Sequence, residues 1–262
     1  MTWRVNFGIF LIVLGGLALL GTLGFLEAQA WSFIIAAALI LGGALLLWSA
    51  RPKPRMWQTV AASAPLENAT RATIQLKHGT GQLTLRGGAS ADLLFVGAFV
   101  GGITQKISRD GDAAAVELKT PVEQWAQRSL PKQPQWDIQV NSQCPLTLRY
   151  EGGAGQARLD CADIQLTTLD IQAGASAMDI ILPEPRGALR VAIHSGAATV
   201  KLRVPPDARV AIHGAPGLGL LDADTTRFHE HGAGILQSDG YAETPDHIEI
   251  IIESGIGAVE IR

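Results

Sequence analysis

Cysteine is nearly missing from this chain. Cys144 and Cys161 are its two copies in 262 residues, and neither sits in a CxxC or zinc-ligand spacing. That pattern indicates neither a disulfide framework nor a cysteine-built metal site. Aromatic residues are scarce at 6%, and charged residues reach only 17%. A net charge of −3 argues against the strongly positive surface that broad nucleic-acid binding needs, so no nucleic-acid partner is expected. Motifs that carry chemistry are lacking too. No Walker sequence and no G-x-S-x-G elbow occurs, and the "GTG", "GAG" and "GIG" runs each lead into an alternating stretch instead of a helix opened by G-x-G-x-x-G. The expectation is a protein that is not an enzyme, with no catalytic residue, no cofactor and no metal.

Charge is most conspicuously absent from the first 50 residues, where Arg4 and Glu27 are the only charged groups. Two apolar runs fill this part, about residues 7–26 and 31–50, and only "EAQA" separates them. A helix of about 20 residues crosses a hydrocarbon core of roughly 30 Å, so the pattern predicts a two-helix transmembrane hairpin over 1–50. Trp31 and Trp48 fall at opposite ends of the second run, where indole rings favour the membrane interface. The small-x-small "AQA" at Ala28–Ala30 also has the form of a signal-peptide cleavage site, although the run before it exceeds the usual length. Arg51, Lys53 and Arg55 follow the second span directly, and the loop between the spans has no positive charge. The positive-inside rule then predicts an inner (plasma) membrane protein, multi-pass, with its C-terminal domain in the cytoplasm and its cysteines reduced. The lipid bilayer is the first expected partner.

Beyond a polar linker at 51–66, residues 67–262 repeat one phrase: an alternating apolar stretch, a glycine turn, then a second alternating stretch. Examples are "IQLKHGTGQLTL" from Ile74, "LRYEGGAGQARLD" from Leu148, "IQAGASAMDIILPEP" from Ile171, "IHSGAATVKLRVPP" from Ile193 and "IEIIIESGIGAVEIR" at the end. "VAIHGAPGLGLLD" from Val210 and "HGAGIL" from His231 are weaker copies. Gly153, Gly174, Gly196, Gly217, Gly234 and Gly255 are spaced 21, 22, 21, 17 and 21 apart. Gly79, Gly81, Gly155 and Gly257 occupy similar turns. A period near 20 with short strands predicts an all-β solenoid, each coil stacked on the next, with glycine at corners that need positive φ. A β-sandwich of strand–Gly–strand hairpins is the alternative. Alternation places Leu189, Val191, Ile193, Val200, Leu202 and Val204 inside, and Arg190, His194, Lys201 and Arg203 outside. Residues 119–145 interrupt the pattern with a Pro/Gln-rich loop, then return to strand at "WDIQV". Trp125 and Trp136 read as core or capping aromatics.

Candidate sites are few. His229 and His231 in "HEH" share a face if extended, but a third metal ligand is not evident. His194 and His213 precede turns at matching places, as His78 does in an earlier repeat, and stacking would align the first two. "DAD" at Asp222–Asp224 lacks the later Gly and Glu of a calcium loop, and "NAT" at Asn68–Thr70 has the glycosylation form.

The paired spans followed by "WDIQVNSQCPLTLRYEGGAGQARLDCADIQLTTLDIQAGASAMDIILPEP" resemble the LiaF-like family of bacterial cell-envelope stress response membrane proteins. Trp136–Ile138, Pro145–Leu148, Gly153–Asp160 and Leu169–Ile171 carry that family's W-x-[IV], P-L-x-L, G-A-G-x-x-x-[LI]-D and L-x-[IV] pattern, in a β-domain called toast-rack. The resemblance implies a membrane-held regulator that restrains a sensor kinase until envelope damage occurs; the expected function is a non-enzymatic protein-interaction platform in envelope-stress sensing or regulation, with a homo-oligomer allowed. Related β-domains are also named candidate adhesins, and an envelope-facing adhesin-like or carbohydrate-binding module is the alternative function.

Overall fold

Each repeated phrase alternates inward and outward residues, and the parity of the inward set changes once, at the phrase's glycine. That change is the physical signature of one strand that bends. The computed structural model describes residues 59–121, 134–216, 219–232, 234–241 and 244–262. Among them are β1 (Thr59–Pro65), β2 (Arg71–Gly87), β3 (Leu93–Val100), β4 (Thr104–Asp110), β5 (Ala113–Lys119), β6 (Gln135–Val140), β7 (Leu146–Asp160), β8 (Leu166–Ile181), β9 (Ala188–Arg203), β10 (Arg209–Pro216), β11 (Leu220–Ala223), β12 (His229–Glu230), β13 (Ile235–Gln237) and β14 (His247–Ile261). In β9, Leu189, Val191, Ile193 and Ser195 are buried, and past Gly196 the buried set is Ala198, Val200 and Leu202. A straight strand would keep one parity on one face. The bend lets both arms face a single apolar core.

Successive phrases pair parallel and in register from β2 to β7, β8 and β9. One row along the first arms runs Ile74, Leu148, Leu169, Val191, Ile250, Ile212; one along the second runs Leu85, Leu159, Ile180, Leu202, Ile261, Ala223. These parallel pairings rule out the sandwich of strand–Gly–strand hairpins and agree with a solenoid-like stack. The order is not sequential throughout. β14 lies between β9 and β10, parallel to both, and β11 pairs with its second arm. "HGAGIL" is no coil either: its Ile235 and Leu236 lie in β13, which pairs antiparallel with β12, and its Gly234 has φ 75°. At the other end β5 extends the first arm of β2, and β6, β3 and β1 extend the second, the last two antiparallel. β1 falls within the stretch read above as linker.

The corner glycines differ from expectation in their reason. Gly79, Gly153, Gly174, Gly196 and Gly255 lie inside continuous strands and are not among the positive-φ residues. They stack. A Cβ on Gly174 would lie 2.7 Å from the carbonyl oxygen of Gly153, one on Gly255 2.9 Å from that of Gly196, and one on Gly196 3.3 Å from that of Gly174. A Cβ on Gly153 would collide hardest, with the carbonyl oxygen of Gly79. Each carbonyl occupies the place where a side chain would begin. Gly81, two residues past its corner, does carry positive φ, at 117°. Gly217 lies outside the described residues, as do Trp125, the predicted spans at 7–26 and 31–50, Trp31, Trp48, Arg51, Lys53 and Arg55. Among the described residues no helix is long and apolar enough to cross a membrane.

Trp136, Phe95 and Phe99 close the core beside β2, with Trp136 edge-on to Phe99 at 5.3 Å. His78 belongs to this core. Its ring lies 4.9 Å from that of Trp136, it is 2% exposed, and desolvation pushes its pKa down to about 4. It sits in register with Gly152, and through it with Ala173 and Ser195, on the inner side, whereas His194 is on the outer side. The two are not equivalent positions.

Three outcomes follow from this architecture. Val200→Asp, or the same change at Leu202 or Ile180, is expected to cost about 3–5 kcal/mol or to prevent folding, because an unpaired carboxylate would enter the core. Circular-dichroism melting checks it, and an unaltered melting temperature would contradict the inward placement. Alanine at the corner glycines should destabilise in the order Gly153, Gly174, Gly255, Gly196, with costs of about 1–3 kcal/mol graded by the carbonyl approach. Equal effects at all four would contradict the stacked corner. His78 binds its proton less readily folded than unfolded, so its contribution is complete above pH 6.5 and is lost as pH falls toward about 4. Denaturant titrations from pH 7 to 4 should show a decline of up to about 3 kcal/mol that is absent in His78→Phe.

Candidate functional site

The strands place one outward side chain per coil two residues ahead of each corner glycine. Lys77, Glu151, Gln172, His194 and Glu253 precede Gly79, Gly153, Gly174, Gly196 and Gly255 by that interval. Registered pairing stacks them into one row, which Lys119 of β5 extends beyond Lys77. Their spacing is the inter-strand distance of about 4.8 Å. Beside the row, the corner glycines have no side chains to stand up. The result is an open groove of about 940 Å³ that runs across the coils, with a polar wall and a floor of bare backbone.

Electrostatics along the wall are partly self-neutralised. Lys77 Nζ lies 3.0 Å from Glu117 and 3.8 Å from Glu151. Hydrogen bonding to Glu117, opposed by desolvation and aided by the charge of Glu151, holds the Lys77 pKa above its usual value. The same bond to Lys77 holds Glu117 below the usual carboxylate range. Gln75 Nε2 donates to Glu151 Oε1 at 2.6 Å, which fixes that carboxylate. At the far end His194 Nδ1 meets Glu253 Oε2 at 2.9 Å. Lys119 leaves the first end of the wall positive.

Other predicted residues are not brought together. β14 intervenes between β9 and β10, so His194 faces Glu253 and His213 lies 3.8 Å from Glu249; the expected histidine row does not form. His229 and His231 are both exposed, the first in β12 and the second just after it. Among the described residues no group of three or more His, Cys, Asp or Glu converges to hold a metal ion. Cys144 and Cys161 are free and buried. Burial pushes the Cys161 thiol up to about 12 and raises that of Cys144, so neither supplies a reactive thiolate at neutral pH. Asp222 of "DAD" pairs with Arg262 at 2.6 Å, an exposed contact.

The outer face of the second arms is laced with ion pairs instead. Asp179 accepts from Arg203 at 2.9 Å and lies 3.8 Å from Arg158, Arg86 lies 3.6 Å from Asp137, and Arg262 lies 3.2 Å from Glu260. Such exposed pairs contribute about 0–1 kcal/mol each and mainly keep the face soluble. The groove wall carries ion pairs too and differs in bordering bare backbone along its length. Sequence reading found His194 in it but missed Lys77, Glu151, Gln172 and Glu253, although their constant distance from the periodic glycine was a usable signal.

Comparison with known proteins fixes the fold's kinship. A solved structure of a candidate cell adhesion protein from Clostridium sporogenes ATCC 15579 superposes with a TM-score of 0.73 at 23% identity, over 78% of this chain and 98% of that one. A candidate adhesin from Bacteroides fragilis NCTC 9343 aligns over 80% and 99% of the two chains, but at 8% identity and a TM-score of 0.20. No curated protein matches. Residues 53–203, more than half of the chain, match the N-terminal domain of toast_rack, DUF2154, and the chain belongs to that family.

Proposed function

We propose that this protein is a membrane-held, non-enzymatic interaction platform of the LiaF-like kind, acting in bacterial cell-envelope stress sensing or regulation. The observation that carries the reading is the groove wall, where one polar side chain per coil stands at fixed spacing on a rigid stack. A segment of a signalling protein laid across the coils would meet Lys119 and Lys77 at one end and Glu253 at the other, so its charges would be read in order. The chargeless spans at 7–26 and 31–50 support a bilayer anchor, and Arg51, Lys53 and Arg55 support a cytoplasmic β-domain at the inner membrane. A sensor kinase is the partner this reading favours.

A second reading draws on the Clostridium sporogenes structure, whose description as a candidate cell adhesion protein favours an envelope-facing adhesin-like or carbohydrate-binding module. Sidedness separates the two. Full-length protein fused after Arg262 to a fluorescent protein should fluoresce, and the matching alkaline phosphatase fusion should be inactive. Active phosphatase would put the β-domain outside and give first place to the adhesin-like reading.

A further inference from the structure

We infer that β1 is a self-pairing edge through which two copies of this chain join, antiparallel, about Ala61. β1 ends the second-arm sheet and pairs with β3 alone among the described residues. Asn141 donates its N–H to the Leu94 carbonyl, so even-numbered residues of β3 face β6, and Phe95, Gly97 and Phe99, the partners of Ala64, Ala62 and Val60, face β1. Even-numbered residues of β1 therefore turn their backbone groups toward β3, and odd-numbered ones turn theirs to the open edge. Side-chain hydrogen bonds to the odd-numbered carbonyls within the strand agree, and Arg109 Nη1 also reaches the carbonyl of Leu66, just past the strand, at 3.2 Å. Arg109 Nη2 donates to the Pro65 carbonyl at 2.7 Å and Gln105 Nε2 to that of Ser63 at 3.4 Å, both from outside the pair. Those two β4 side chains engage the carbonyls of Ser63 and Pro65 and leave the other outward backbone groups from Thr59 to Ser63 open, centred on Ala61.

An open edge invites pairing, and proteins ordinarily blunt it with charge. β4 follows that rule, with Lys106, Arg109 and Asp110. β1 does not: its sequence is TVAASAP, and no charge lies between Thr59 and Pro65. A second β1 is the occupant this edge fits. Two uncharged copies approach without repulsion, and a two-fold axis at Ala61 sets Thr59 opposite the partner copy's residue 63 with about four backbone hydrogen bonds that leave the Ser63 carbonyls to Gln105. Residues 1–58 enter the domain at Thr59 itself. If they anchor the chain as proposed above, anchoring concentrates copies in one plane; the edge itself does not rest on that reading.

The test uses the full-length chain in membranes. Both native cysteines are buried, so Ala61→Cys supplies the one accessible thiol among the described residues. Under mild oxidation it should run as a disulfide-linked dimer on a non-reducing gel, while Thr199→Cys, exposed on β9, stays a monomer. Ala61→Lys should lose dimer in light scattering of detergent-solubilised protein, and so should Ala61→Glu, since like charges directly opposite repel. Mixing the two variants should restore it, an outcome that misfolding cannot produce. Equal cross-linking at 61 and 199, or a monomeric wild type, would overturn the inference whether or not the sidedness fusions place the domain in the cytoplasm.

Discussion

The close approach of one corner to the next is the contact on which this architecture depends. A strand that bends must bring its peptide groups nearer those of neighbouring coils than a flat ladder does, and the carbonyl of one corner then points into the neighbour's Cα. Only glycine leaves that place empty. The carbonyl of Gly153 fills it at Gly174, that of Gly174 at Gly196, and that of Gly196 at Gly255. Weak C–H···O attraction accompanies such contacts, but the decisive term is repulsion avoided. The bend in turn makes both arms of β2, β7, β8, β9 and β14 face one core, which a flat sheet of these sequences could not close.

The bend also makes the groove. Side chains flanking a glycine column have no neighbours to lean against on the corner side, so the row from Lys119 to Glu253 borders bare backbone. The glycine column and the outward polar row therefore share one cause, and the same period writes both. Among the positions that vary from coil to coil is the residue two places before the glycine: Lys, Glu, Gln, His, Glu. Fold and register are held constant while the surface code is free to change.

Much of this was legible in the sequence. Alternation fixed the inward set of β9 correctly, from Leu189 to Val204, because period-two burial is a local property of strands. The glycine period pointed to stacked coils for the same reason. Two features were not legible. Position in the stack is a long-range choice: β14 reads as the last coil, yet it pairs with β9 over fourteen positions from His247↔Ala188 to Ile261↔Leu202, and displaces β10 outward. The predicted alignment of His194 with His213 failed with it. His78 was misread by one residue of phase, since it stands one place before its glycine and His194 stands two before its own, which puts one ring in the core and the other outside.

β14's insertion has a physical rationale that the local pattern does not carry. Its arms hold Ile248, Ile250 and Ile252, then Val259 and Ile261, all nearly fully buried. A strand so apolar is costly to leave at the end of a stack, where one side of its ladder and part of its inner face would meet water. β10 and β11 are shorter, at eight and four residues. Placed outermost, with the β12–β13 ribbon against β10, they make a poorer template for further growth than β14 would. The long apolar strand is thus sealed between two neighbours at the C-terminal end, while the uncharged β1 is left open at the other, and the two ends of the stack are built for different purposes.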